Sequence, residues 1–261
     1  MRPAFLSRLS AEELRDVLLI CLTFGSGAVD AISFLGLGRV FTAMMSGNIV
    51  LLGLAVGSSA GSEAVRSAVS LVVFVLGVFA ASRLVRGPTD PSAWPSGLTM
   101  ALVCGAVAQA GMLAGWLGAS GHPNDLFKAV LVGFSALAMG LQGGAVARLG
   151  VSGVTTTYVT GTLTGLIGGL ALRSGTQREL ARRAVVLVAL LLGAACGAVL
   201  LTYARSAAPA LPLAVTIIVV ATAVYGLPRA GVREGPGSAD PGAEHETTGP
   251  GAEHGSGRQL T

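Results

Sequence analysis

The sequence predicts an all-α membrane protein. It reads as a polytopic transmembrane helix bundle of two inverted repeats. Each repeat has about four apolar segments, one of them interrupted or re-entrant. Three observations carry this reading: charge is scarce, the apolar runs are long, and a polar, glycine-containing break occurs at two matching points.

The chain is 52% hydrophobic and 11% charged, with a mean hydropathy of +0.73. Soluble domains carry about 25% charged residues. Residues 40–62, 96–121, 149–172, 184–204 and 206–228 form long uncharged runs. Each exceeds the ~20 residues needed to cross a hydrocarbon core of about 30 Å. Residues 17–29 continue past Asp30 to Gly38, 67–82 can extend because Arg66 and Arg83 snorkel outward, and 129–147 completes the set. The lipid bilayer is therefore the expected environment, and a cell membrane the expected location.

Residues 1–16 read as a cytoplasmic or interfacial helix. Ser10 and Glu13 stand at capping-box spacing, and no cleavage site follows the apolar run. The membrane repeats are expected at 17–118 and 124–228. Residues 230–261 are rich in Gly, Pro and Glu, repeat "PGAEH", and read as a disordered tail.

The net charge of +4 comes from 16 Arg and Lys128 against 13 acids. Most of these Arg flank apolar runs, so the basic balance encodes membrane orientation and no nucleic-acid partner. Cys21, Cys104 and Cys196 lie inside apolar segments without CxxC spacing, and read as small packing residues.

Overlaying the chain on itself supports duplication. "AISFLGLGRVFTAMMSGN" (31–48) lies over "AVARLGVSGVTTTYVTGT" (145–162), with Ala31, Leu35, Gly36, Val40, Thr42 and Gly47 matched identically. After a two-residue insertion, Glu63 and Arg66 fall on Glu179 and Arg182, and Gly77 on Gly193. Basic residues alternate between equivalent linkers. Arg2, Arg8 and Arg15 oppose Lys128, Arg66 opposes Arg173, Arg178, Arg182 and Arg183, and Arg83 with Arg86 oppose Arg205. Basic linkers are cytoplasmic, so the halves have opposite topology and both termini are cytoplasmic. Opposite topology needs an odd number of crossings per half. Segments 40–58 and 154–171, which hold the polar breaks, are the ones expected not to cross fully. Inverted repeats with interrupted helices are a recurring build of secondary transporters.

"GAVDAISFLGLGRVFTAMMSGNIVLLG" (27–53), with "TTTYVTGTLTGL" (155–166), resembles the YoaK family of bacterial membrane proteins. The resemblance covers most of the chain apart from the tail. It implies a bacterial multi-pass membrane protein and carries no activity with it. Family members often have Gln-Asn where this chain has Gln142-Gly143.

Candidate site residues follow from the breaks. Asp30 is the only acid within an apolar segment, and such residues face a cavity or a partner. It suits a proton carrier, or a structural partner for Arg39. Thr42, Ser46, Asn48, Thr156, Thr160 and Thr162 place hydroxyls and an amide at the breaks, and Gln142 adds a further amide. Met44, Met45 and Tyr158 would bound an apolar part of the solute. A site of this kind, without Arg, gives phosphate no strong anchor. "GVSG" (150–153) suggests an intramembrane serine protease, but His122, His245 and His254 all lie outside the apolar core, so no base accompanies the serine. No Walker, zinc or dinucleotide motif is present. No enzyme, cofactor or metal is expected. The sequence points to a secondary transporter or channel for a small polar or amphipathic solute, proton-coupled through Asp30. The alternative is a non-transporting membrane sensor or assembly subunit.

Overall fold

The computed structural model describes residues 10–85, 94–149, 159–172, 174 and 176–227. The expected tail at 230–261, the first nine residues and the stretch 150–158, with Thr156, lie outside the described residues. The described residues form eight α-helices: α1 (Ala11–Gly36), α2 (Met45–Gly57), α3 (Gly61–Leu84), α4 (Ser96–Gly118), α5 (Asp125–Ala147), α6 (Val159–Ala171), α7 (Gln177–Tyr203) and α8 (Ala210–Gly226).

Local chemistry sets the helix starts. The Ser10 hydroxyl accepts the Glu13 N–H at 3.2 Å, and the Glu13 carboxylate accepts the Ser10 N–H at 3.0 Å. Thr176 and Glu179 form the same reciprocal box at α7, and Asn124 caps α5 by accepting the Phe127 N–H. Pro212 falls in the first turn of α8, where its missing N–H breaks no helical bond. The capping box corrects one expectation. Residues 11–16 are the first turns of a single 26-residue helix, not a separate helix lying on the membrane.

Five helices, α1, α3, α4, α5 and α7, are long and apolar enough to cross a bilayer. α2 and α6 have 13 residues each, about 20 Å of helix at 1.5 Å per residue, short of the ~30 Å core. α1 and α5 are central: 67% of the apolar stretch of each is buried, against 28% for α3 and α7.

Packing pairs helices across the two halves. α1 lies along α7, and α3 along α5. Asp16 pairs with Arg182 at 3.5 Å, Phe24 meets Gly193, and Ala28 meets Gly197, so α1 and α7 run parallel. Val69 meets Gly133, Phe74 meets Gly140, and Val78 meets Gly144, so α3 and α5 are also parallel. α1 and α5 run opposite ways. Gln142 of α5 donates to the Leu22 carbonyl and Ser26 hydroxyl of α1, while Ser33, farther along α1, reaches Ser135, earlier on α5, through Thr42. α4 is antiparallel to α5, with Gly105 beside Ala138 and Gly115 beside Leu131.

The close approaches rest on small residues, as lipid-embedded helices require. A side chain at Gly193 would overlap the Phe24 carbonyl, and one at Gly77 would come within 2.7 Å of the Leu137 carbonyl oxygen. The sequence overlay matches these two glycines to one another. The cysteines depart from expectation: Cys104 and Cys196 are exposed on outer helix faces instead of packing inside.

Candidate functional site

The first break begins where α1 ends. Gly38 and Arg39 both take positive φ, 97° and 59°, and turn the chain back on itself. The returning stretch runs beside α1 until the Thr42 and Ala43 N–H groups reach one oxygen of Asp30, at 2.8 and 2.7 Å. Asp30 lies six residues before the end of α1, so the break sits about 9 Å inside that end. Unpaired backbone is costly at membrane depth, and here side chains supply the partners.

Asn48 closes the same loop. Its carbonyl accepts the Phe41 N–H at 2.9 Å, and its amide donates to the Phe41 carbonyl at 2.6 Å and to Ser70 at 3.0 Å. Ser70 of α3 also donates to the Phe41 carbonyl at 2.7 Å. Thr42 is fully buried between Ser33 of α1 (3.1 Å) and Ser135 of α5 (2.9 Å). Four helices therefore hold one irregular stretch. Met44, the residue before α2, offers no side-chain cap, so this polar support comes from a distance.

The predicted residues divide into two groups. Asp30, Thr42 and Asn48 form the buried scaffold behind the break. Asp30 makes no ion pair with Arg39 among the described residues; its contacts are the backbone donors. Ser46 and Thr160 instead line a cavity of about 400 Å³, within the range of small-molecule sites. Ala43, Met44 and Met45 form one wall, Val159 and Gly161 the other, and Phe74 joins them. Met45, Ser46 and Gly47 fall on Val159, Thr160 and Gly161 in the sequence overlay, so the cavity has matched residues on both walls. Thr162, on α6 itself, is buried and does not line the cavity. Gln142 does not join the site: its amide tethers α5 to Ser26 and Leu22 of α1.

Sequence reading missed Ser33, Ser70 and Ser135, which complete the scaffold, and Phe74, which closes the cavity. Other grooves of similar size, such as the one along Phe24 and Leu192 and the one along Val107 and Ile217, are almost wholly apolar and open outward.

Comparison with known proteins fits this framework. Residues 18–224 match the family model described as "Protein of unknown function (DUF1275)". The chain belongs to the DUF1275 family. It is also similar to the "UPF0700 transmembrane protein YoaK" of Bacillus subtilis (strain 168), with 37% identity over 159 residues, 61% of this chain and 68% of the relative. No solved structure matches it. The expected YoaK resemblance is thereby established. With five helices of spanning length, this DUF1275 member is a multi-pass membrane protein.

Proposed function

We propose that this protein is a secondary transporter, or a channel, for a small polar or amphipathic solute held between the starts of α2 and α6. The observation that carries the reading is the cavity of about 400 Å³ lined from both sides by matched residues, Ser46 and Thr160. A scaffold or sensor subunit has little need for two broken segments meeting at one cavity.

In this reading the halves are inverted repeats. Support comes from the antiparallel course of α1 and α5, which the sequence overlay matches to one another, and from parallel pairing across halves. Residues 39–57 are then re-entrant. Arg66 donates to the Gly38 carbonyl, and Ser70 to the Phe41 carbonyl. The inward stretch thus runs in the direction of α3, and α2 returns to the side where α3 starts. Each half then crosses three times, with the 17-residue α8 as the sixth and shortest crossing, and the Arg-rich linkers put both termini in the cytoplasm of a bacterial cell. Proton coupling through Asp30 has weaker support, because its carboxylate already serves the Thr42 and Ala43 N–H groups.

Two experiments test this. Topology reporters fused after Ser59 and after Gly175 should lie on opposite sides, with the second cytoplasmic; the same side for both refutes the inverted build. Purified protein should be screened by thermal shift against a metabolite panel, and hits carried into proteoliposome uptake. Uptake that persists unchanged in Ser46→Leu/Thr160→Leu would move the site elsewhere.

A further inference from the structure

The chemistry of the cavity narrows the solute further, and this step rests on the cavity being the solute site. No ionisable side chain lines it among the described residues. The stretch 150–158, which leads into α6, adds by sequence only Tyr158 to the titratable groups. α2 and α6 themselves carry no charged residue. Two charged groups bind neighbouring backbone, and both are occupied. Asp30 accepts two N–H groups behind Ala43, and Arg183 donates to the Gly165 carbonyl at 2.7 Å. A charged solute would leave water and find no charged side chain; the starts of α2 and α6 offer only about half a positive charge each, which does not offset that loss for an anion and repels a cation.

The apolar part of the lining is equally specific. Met44, Met45 and Phe74 supply two methionine side chains and a ring, with the Met45 sulfur also accepting the Asn48 amide at 3.7 Å. Methionine sulfur packs favourably at aromatic edges, and its flexible chain adapts to flat groups. Ser46 and Thr160, one on each wall, each offer a donor and acceptors. We infer that the cavity takes an uncharged amphipathic solute, with a flat apolar or aromatic body against Met44, Met45 and Phe74 and a neutral hydrogen-bonding head between Ser46 and Thr160.

Three probes of nearly one shape test the charge directly: benzamide (neutral), benzoate (anionic) and benzylamine (cationic at neutral pH). Acetamide supplies the head without the body. Binding is measured calorimetrically on the full-length protein in detergent, and uptake in proteoliposomes. Benzamide should bind at millimolar concentrations, about tenfold or more tighter than either charged probe or acetamide. Ser46→Ala and Thr160→Val should each weaken it by about tenfold, the worth of a lost hydrogen bond. Phe74→Leu should weaken benzamide while leaving acetamide unchanged. Tighter binding of benzoate or benzylamine, or no binding of benzamide, overturns the inference. Binding of benzamide without uptake would sink the transport reading alone. Circular dichroism and melting curves for each variant separate lost binding from lost fold.

Discussion

The starts of α2 and α6 face one cavity from matched positions, yet their supports differ. Behind α2 stand Asp30, Asn48 and Ser70. The overlay puts Gly144, Thr162 and Val186 at those positions. A carboxylate, an amide and a hydroxyl are replaced by no side chain, a hydroxyl and a hydrocarbon. Gly144 cannot simply acquire a carboxylate, because a Cβ there would come within 2.9 Å of Val78 on α3. On the second side a charged group enters instead, Arg183 of α7 on the Gly165 carbonyl, where the first half has Ser67. The contrast teaches that duplicated halves need not share their anchors. Among the described residues, one wall is held by a buried network reaching four helices, and the other receives Arg183 of α7 on the Gly165 carbonyl.

The largest effect is expected from Asn48→Leu. Removing Asn48 strands the Phe41 N–H in a buried setting, at about 1–3 kcal/mol, and leaves the Phe41 carbonyl to Ser70 alone. A loss of about 3 kcal/mol is expected in equilibrium unfolding. An unchanged unfolding free energy would mean that Asn48 does not anchor this wall. The next effect concerns Asp30. Because one oxygen accepts both N–H groups, Asp30→Asn should keep most of the stability, whereas Asp30→Ala should lose about 2–3 kcal/mol. If Asp30→Asn folds normally but erases the pH dependence of uptake, Asp30 carries a proton and is more than an anchor. Ser70→Ala should cost about 1–2 kcal/mol, since Asn48 and Phe41 both lose a partner. Val186→Ala at the matched position should lower the melting temperature only through packing. The smallest change is expected from Ser135→Ala, about 0.6 kcal/mol, the average for hydrogen bonds between membrane helices. A large loss there would show that Thr42 depends on α5 more than on α1.

The helices were largely readable because lipid enforces long apolar runs, and the breaks because polar residues interrupt them. Thr42, Ser46, Asn48 and Thr160 stood out in this way. Ser33, Ser70 and Ser135 did not. A lone serine inside an apolar helix looks alike whether it packs against a neighbour or bonds a loop, and Ser135 meets Thr42 from 93 residues away. Gln142 illustrates the reverse error: its amide marked a buried role correctly, but its partner was α1 and not the break. Asp30 was legible as an unusual group, while its neighbours were not. Arg39 is close in sequence, yet the turn at Gly38 and Arg39 brings backbone N–H groups to the carboxylate. The pairing of α1 with α7 had no local signal beyond the matched glycines, because parallel packing across halves leaves no short-range pattern.

That cross-half pairing bears on how the protein is made. α1 is synthesised first and is central in the fold, but its packing partners α7 and α8 lie beyond residue 176. Until α7 leaves the ribosome, Gly27 and Ala28 of α1 lack the helix they pack against. The first half should therefore remain in the care of the insertion machinery and be degraded if expressed alone. Two fragments divided near residues 119–123, made together, should find each other in the membrane and rebuild the bundle.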